Sequence, residues 1–94
     1  MSIGISRIDD DIALKSKVDF TDSDLVVLVE LHRGESLRGI TGKLYKSLGM
    51  VQFYVRWLET NGYILKFKKG WRPYQITTKG KGVLIQHGYI PKDS

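Results

Sequence analysis

The chain has 94 residues, no cysteine and a formal net charge of +5 at pH 7. This length suits a single domain, residues 1–94, and the lack of cysteine excludes disulfides and thiolate metal sites and favours a reducing compartment such as the cytoplasm. No apolar run approaches the roughly 18 residues that a membrane-spanning helix needs, so we expect no membrane partner.

Charge is distributed unevenly along the chain. Residues 1–35 carry four basic and eight acidic side chains, a net charge of −4, whereas residues 36–94 carry eleven basic and two acidic side chains, a net charge of +9. A polyanionic partner would meet the second part, with the first part facing away. A solvated lysine-rich surface is the alternative explanation of the same pattern.

The first predicted elements come from the acidic part. Residues 6–17 carry apolar side chains at intervals that favour an irregular helix, and residues 1–20 together form an N-terminal extension that is a candidate for dimerisation. Thr21 or Asp22 then suits an N-cap, and Leu25, Leu28 and Val29 follow at helical spacing as far as a glycine at position 34. A buried strand over residues 26–29 is the alternative, which the acidic start and the glycine stop disfavour.

Two further helices are predicted from apolar spacing. Residues 36–47 form the second, with Ser36 as its cap, and Leu48-Gly49-Met50 is predicted to be a tight turn. The third helix begins at Val51, and its end is marked by Asn61-Gly62. Its apolar stripe consists of Val51, Tyr54, Val55 and Leu58.

A hairpin and a last helix follow. Residues 63–68 and 74–77 have the aromatic and β-branched content of strands, with Lys69-Gly70 as the turn between them. Thr77 or Thr78 caps a final helix over about residues 79–87, which Gly88 ends.

Two phrases in this order of elements resemble a known superfamily. They are Val55-Arg56-Trp57-Leu58-Glu59-Thr60-Asn61-Gly62-Tyr63-Ile64 and Tyr74-Gln75-Ile76-Thr77-Thr78-Lys79-Gly80. Both are similar to segments of PadR-like and MarR-like regulators, which belong to the winged helix-turn-helix DNA-binding superfamily, and the resemblance covers roughly residues 21–86. It implies an α+β winged helix: a three-helix helix-turn-helix core, a two-stranded β-hairpin wing and a short C-terminal helix.

The resemblance also implies that the third helix enters the major groove of DNA while the second braces across the backbone. If the apolar stripe faces the core, Gln52 and Arg56 share an outward face, because they are four residues apart. Arg can bond guanine and Gln can bond adenine bidentately, which is worth about 1–3 kcal/mol per contact. The predicted DNA-binding residues of this helix are Gly49, Met50, Gln52, Phe53 and Arg56.

The basic side chains of the wing are expected to bind DNA phosphates. Residues in and next to the second helix are expected to contact the DNA backbone. The predicted wing residues are Lys66, Lys68, Lys69, Trp71 and Arg72. The predicted backbone contacts are Ser36, Arg38, Lys43, Lys46 and Ser47.

One departure from the family pattern is an apolar group, Met50, Phe53 and Trp57, on the face that is expected to be exposed. Such a group is more often a burial surface than a base-reading surface. It therefore leaves open a rotated core register or a protein-docking role without DNA binding.

Residues that could support catalysis or metal binding are few. His32 and His87 have no metal-ligand spacing around them, and Asp9-Asp10-Asp11 has neither the loop glycine nor the terminal glutamate of a calcium site. We therefore expect no enzyme activity, no metal and no cofactor.

The sequence thus predicts a protein that binds double-stranded DNA as a homodimer on a pseudo-palindromic site, most simply a small transcriptional regulator. Plasmid partition, by binding a centromere site, and chromatin association are alternatives with the same chemistry. A binder of RNA or single strands, which would stack bases on Phe67, Trp71 and Tyr74, is a rival. The dimer surface is expected from residues 3–20 and from the final helix, with Val83, Leu84 and Tyr89.

Overall fold

The computed structural model describes residues 17–66 and 74–92, and this part of the chain has an α+β fold of four helices and two strands. The elements in chain order are α1 (Asp22–His32), α2 (Leu37–Leu44), α3 (Leu48–Thr60), β1 (Ile64–Lys66), β2 (Tyr74–Ile76) and α4 (Thr78–Gln86). The strands are antiparallel, with Ile64 opposite Ile76 and Lys66 opposite Tyr74. The predicted α+β class is confirmed, whereas residues 6–16 of the helix expected over residues 6–17, and the Lys69-Gly70 turn, fall outside the described residues.

The start of α1 is fixed by a capping box. Thr21 is the N-cap, and its hydroxyl accepts a hydrogen bond from the Asp24 N–H at 3.4 Å, while the Asp24 carboxylate accepts from the Thr21 N–H at 2.8 Å. Asp24 is completely buried, and the Lys17 ammonium lies 2.6 Å from its carboxylate. The ion pair offsets the cost of burying the Asp24 carboxylate. The capping box fixes the first turn of a helix, and it therefore favours helix over strand from residue 22 onward.

The connection between α2 and α3 differs from the prediction. The predicted turn at Leu48-Gly49-Met50 is wrong, because these residues form the first turn of α3, and α2 ends at Leu44 rather than near residue 47. The chain reverses instead at Tyr45, which adopts a left-handed conformation with φ 56° and ψ 38°. The Ser47 hydroxyl then accepts from the Met50 N–H at 3.2 Å, and this N-cap outweighs the low helix propensity of glycine at position 49.

The core is built from one face of every helix together with Ile64 of β1 and Ile76 of β2. Its fully covered members include Val27 and Leu28 of α1, Ile40 of α2, Val51 and Leu58 of α3, Ile64 of β1 and Leu84 of α4. The stripe predicted for the third helix is buried in full, which confirms its register. Leu84 was expected in a dimer surface, and that assignment is wrong because its side chain is entirely inside the protomer.

Trp57 is buried rather than outward-facing, as only 3% of it is exposed. Its ring stacks on Tyr63 at 5.9 Å between centroids and meets Phe20 at 6.3 Å. The indole N–H donates to the Lys17 carbonyl at 2.8 Å, and the Lys17 ammonium lies 4.1 Å from the ring centroid. The aromatic residues that precede α1 and follow α3 therefore cover a side chain that the helix alone would leave exposed.

The end of α3 is joined to the start of α4 by a set of contacts that we call the junction, residues 61–63 with 77–80. Thr77 donates twice, from its hydroxyl to the Gly62 carbonyl at 2.6 Å and from its N–H to the Tyr63 carbonyl at 3.1 Å. The Lys79 ammonium donates to the Asn61 carbonyl at 2.8 Å and lies 4.4 Å from the centroid of the Tyr63 ring. These bonds satisfy the backbone carbonyls of the three residues that follow α3.

Gly80 completes the junction by close approach. A Cβ at this position would overlap the Tyr63 carbonyl oxygen and would lie 2.8 Å from the Ile76 Cγ2. Backbone atoms cannot move aside as a flexible side chain can, so only glycine fits there.

We expect Gly80→Ala to lower the free energy of unfolding by about 1–3 kcal/mol, the usual cost of overpacking. The matched control is Gly82→Ala in the same helix, since a Cβ at Gly82 meets nothing within 4 Å. That control should raise stability by up to about 1 kcal/mol, because alanine is the better helix former. Urea denaturation of both variants measures the difference, and equal midpoints would contradict the close approach.

Candidate functional site

A groove of about 330 Å³ lies between α3, the start of α2 and the strand pair. Its lining consists of Leu37, Gln52, Val55, Arg56, Glu59, Lys66 and Tyr74. Three of the residues predicted to bind DNA, Gln52 and Arg56 from the third helix and Lys66 from the wing, are therefore brought together on one concave surface.

The two α3 residues reach this groove because of their spacing. Gln52 and Arg56 are both exposed, while Val51 and Leu58 on the same helix are fully buried. Positions four apart share a helix face, so the outward pair predicted from the sequence is the pair that the structure presents.

Lys66 and Tyr74 form the part of the groove contributed by the strands. They are opposite one another in the antiparallel register, with Lys66 exposed and Tyr74 half-buried. The chain leaves the described residues at Lys66 and returns to them at Tyr74. Lys68, Lys69, Trp71 and Arg72 fall outside the described residues, so their roles as wing contacts remain predictions.

The phenol of Tyr74 has a raised pKa. Burial raises the pKa of Tyr74 above its ordinary value of 10.0, and the negative charge of Glu59 raises it further. A tyrosine hydroxyl is protonated at neutral pH even without this shift, so Tyr74 can donate a hydrogen bond to an anionic oxygen. Glu59 is the single acidic side chain in the described residues from position 36 onward.

The first turn of α3 presents further predicted residues. Gly49 and Met50 are exposed, Met50 to 41%, and a Cβ at Gly49 would have only the Ser47 hydroxyl within 4 Å. Phe53 is half-buried and meets the Tyr54 ring edge-on at 5.8 Å between centroids. With Trp57 in the core, the predicted apolar surface of Met50, Phe53 and Trp57 does not exist as a continuous exposed patch.

Residues predicted to touch the DNA backbone have several environments. Ser36 and Ser47 are the N-caps of α2 and α3, and their hydroxyls accept backbone N–H groups at 3.1 and 3.2 Å. Arg38 and Lys46 are exposed. The caps leave each serine hydroxyl hydrogen free to donate, which is compatible with a phosphate contact.

Lys43 is engaged within the protein. Its ammonium lies 3.1 Å from the Glu30 carboxylate and 4.0 Å from that of Glu35. Glu30 is buried and also accepts from Arg33 at 3.3 Å. A phosphate contact by Lys43 would therefore compete with an existing ion pair.

The charge pattern of the sequence has a structural counterpart. In the described residues from position 36 onward, every basic side chain is exposed: Arg38, Lys43, Lys46, Arg56, Lys66, Lys79, Lys81 and Lys92. In the acidic part, Asp24 and Glu30 are buried and ion-paired. Part of the negative charge of residues 1–35 is thus neutralised by ion pairs inside the fold. This part of the chain is therefore not simply a solvated acidic face turned away from a partner.

Sequence reasoning missed three residues of this region, and it expected a fourth, Tyr74, only as a base-stacking residue of the single-strand alternative. Leu37, Glu59 and Tyr74 line the groove, and Tyr45 is left-handed and 94% exposed beside the start of α3. The strand register would have placed Tyr74 opposite Lys66, but no local signal marks Tyr45, since left-handed positions are usually occupied by glycine or asparagine.

Within residues 17–66 and 74–92 there is no group of three His, Cys, Asp or Glu side chains that could hold a metal ion. Asp9-Asp10-Asp11 lies outside that part of the chain. Over the same described ranges, none of the helices combines the length and apolar character needed to cross a membrane. The chain matches no protein-family model, and no curated protein or solved structure is significantly similar to it.

We expect one phenol, that of Tyr74, to titrate above the ordinary tyrosine pKa of 10.0 when phenolate absorbance is followed with pH. Because its folded-state pKa is raised, the stability that depends on its protonation is complete below about pH 10 and is lost as the pH rises through the folded value. Tyr74→Phe should remove the late-titrating component, and Glu59→Gln should shift it to lower pH. A Tyr74→Phe titration with the late component intact would show that the raised pKa belongs elsewhere.

Proposed function

We propose that this protein is a winged helix protein that binds double-stranded DNA as a homodimer and acts by occupying its site, as a small transcriptional regulator does. The observation that carries the proposal is the groove in which Gln52 and Arg56 of α3 meet Lys66 of β1. Residues from two separate elements converge there, as a combined base and phosphate contact requires.

The order of elements supports the winged helix assignment. Three helices precede an antiparallel strand pair and a fourth helix follows it. α2 and α3 are separated only by Tyr45, Lys46 and Ser47, which is the short connection of a helix-turn-helix. In this arrangement α3 is the helix that enters the major groove.

The charge around these helices supports a polyanionic ligand. Residues 36–58 contain four basic side chains and no Asp or Glu. Such a segment attracts phosphates without an opposing carboxylate. Glu59, in the last turn of α3, is the one carboxylate that lines the groove, so it would repel phosphate at that end of the groove.

Recognition would divide between the two sides of the groove. Arg56 can donate two hydrogen bonds to guanine and Gln52 can bond adenine, which provides sequence preference. Lys66, with the cations of residues 67–73, would contact phosphates without regard to sequence. The protonated Tyr74 hydroxyl adds a neutral donor between these two functions.

A dimer would place two copies of α3 about one turn of DNA apart and would require a pseudo-palindromic site. Among the residues predicted for its interface, Val83 is half-buried and Tyr89 is 48% exposed. These two remain available for pairing, whereas Leu84 does not.

Binding of random duplex at low salt, with log affinity falling steeply against log salt, is the expected result. The triple variant Lys68→Ala/Lys69→Ala/Arg72→Ala should reduce that slope by about 3, because each phosphate contact contributes about 0.9. Lys92→Ala, an exposed cation beyond α4, is the control and should leave the slope unchanged. Absence of duplex binding, or tighter binding to single strands or RNA, would contradict the proposal.

Sequence preference has its own test. Arg56→Ala should flatten the preference among duplex sequences in a selection experiment, at a cost of about 1–3 kcal/mol on the best site. Lys66→Ala should weaken all sequences alike, since a phosphate carries no base information. An unchanged preference in Arg56→Ala would remove this residue from base reading while leaving general DNA binding intact.

A further inference from the structure

Tyr45 combines two unusual features. Its backbone is left-handed, with φ 56°, and it is the one non-glycine residue with positive φ among the described residues. Its side chain is 94% exposed, more than any other large hydrophobic side chain in that part of the chain.

Neither feature is explained by the stability of the protomer. A left-handed conformation disfavours residues with a Cβ, and glycine or asparagine would relieve the strain. A side chain that is almost completely exposed buries too little apolar surface to compensate. Strained backbone of this kind is concentrated at functional sites.

The position of Tyr45, directly before α3, would bring its side chain close to a ligand bound by that helix. Its N–H is bonded to the Thr41 carbonyl, which fixes the backbone at the end of α2. α3 begins three residues later, so the phenol projects from the turn directly before the helix that carries Gln52 and Arg56.

The surrounding charge identifies the chemistry of that ligand. Lys46 is the next residue and is exposed, and Arg38 is exposed on α2. Since residues 36–58 contain no Asp or Glu, an anionic ligand meets no carboxylate of this segment. A phenol supplies a neutral O–H donor there, which can bond an anionic oxygen without adding charge.

We propose that the Tyr45 hydroxyl donates a hydrogen bond to a phosphodiester oxygen of duplex DNA, at the edge of the major groove that α3 enters. The inference rests on the proposed DNA-binding function and adds a positioning contact to it. The turn between α2 and α3 would thereby set how far α3 enters the major groove of the DNA. This contact would act independently of the cations that attract DNA in general.

Two variants test this contact. Tyr45→Phe removes only the hydroxyl and should weaken duplex binding about tenfold, the usual effect of losing a hydrogen bond to a charged group. It should leave the slope of log affinity against log salt unchanged, because no cation is lost. Lys46→Ala is the comparison and should reduce that slope by about 1.

Tyr45→Gly tests the cost of the conformation. It should weaken binding at least as much as Tyr45→Phe, while the midpoint of thermal unfolding does not fall, since glycine adopts positive φ without strain. A marked fall in that midpoint would overturn the inference by giving the side chain a structural role.

The remaining outcomes separate this inference from the proposed function. Wild-type binding with unchanged affinity in Tyr45→Phe overturns the phosphate contact alone. Failure of the wild-type chain to bind duplex overturns both. A change of oligomeric state in Tyr45→Gly, measured by sedimentation with duplex binding intact, would assign the side chain to a contact with a second copy and overturn the phosphate contact.

Discussion

The geometry of the candidate site depends on the junction between α3 and α4. Asn61, Gly62 and Tyr63 directly follow α3, and their carbonyls accept hydrogen bonds from the Lys79 ammonium, the Thr77 hydroxyl and the Thr77 N–H, respectively. β1 begins at the next residue and β2 ends just before Thr77. Both strands are therefore fixed to the end of the helix beside which they form a groove.

The junction also explains why two segments of the sequence, residues 55–64 and 74–80, occur together; these are the segments that resemble winged helix regulators. One phrase ends in the carbonyls of the junction and the other supplies the donors and the glycine that lies against Tyr63. Their spacing reflects a contact between two parts of the chain about 15 residues apart, of which the Thr77 to Gly62 bond is the direct example. The motifs thus have a structural role, because their hydrogen bonds and close approach hold the strands and α4 against the end of α3.

α3 has two roles on opposite faces. Val51, Val55 and Leu58 anchor it in the core, and Trp57 attaches it to the segment before α1. Gln52 and Arg56 are exposed on the other side. A site built on a helix whose inner face is packed in this way is held on a rigid element, which would suit the proposed recognition of a duplex.

Much of this fold could be predicted from local sequence signals. Capping residues such as Thr21 and Ser36 marked helix starts, Gly62 marked a helix end, and the apolar stripe of α3 gave its register. Trp57 could not be placed, since Lys17 and Phe20, which help to cover it, lie almost 40 residues away in sequence. Tyr45 was missed for a different reason, because a tyrosine carries no preference for the left-handed conformation that it adopts.

The site was predictable in part for the same physical reasons. Helical periodicity paired Gln52 with Arg56, but the groove also needs the strand register that brings Lys66 and Tyr74 together, and this depends on the junction. Ion pairing of Lys43 with Glu30 joins two helices and is likewise invisible in a local pattern. The cationic residues 68, 69 and 72 are still assigned from sequence alone.

The most direct test of the central claim is an amide chemical-shift map of the ¹⁵N-labelled protein titrated with duplex DNA at low salt. The account predicts saturable shifts concentrated at Gly49, Met50, Gln52, Arg56 and Lys66, with little change at Val27 to Glu30 of α1. No saturable change, or shifts confined to α1 and the residues before it, would contradict the assignment of the groove as the DNA-binding surface.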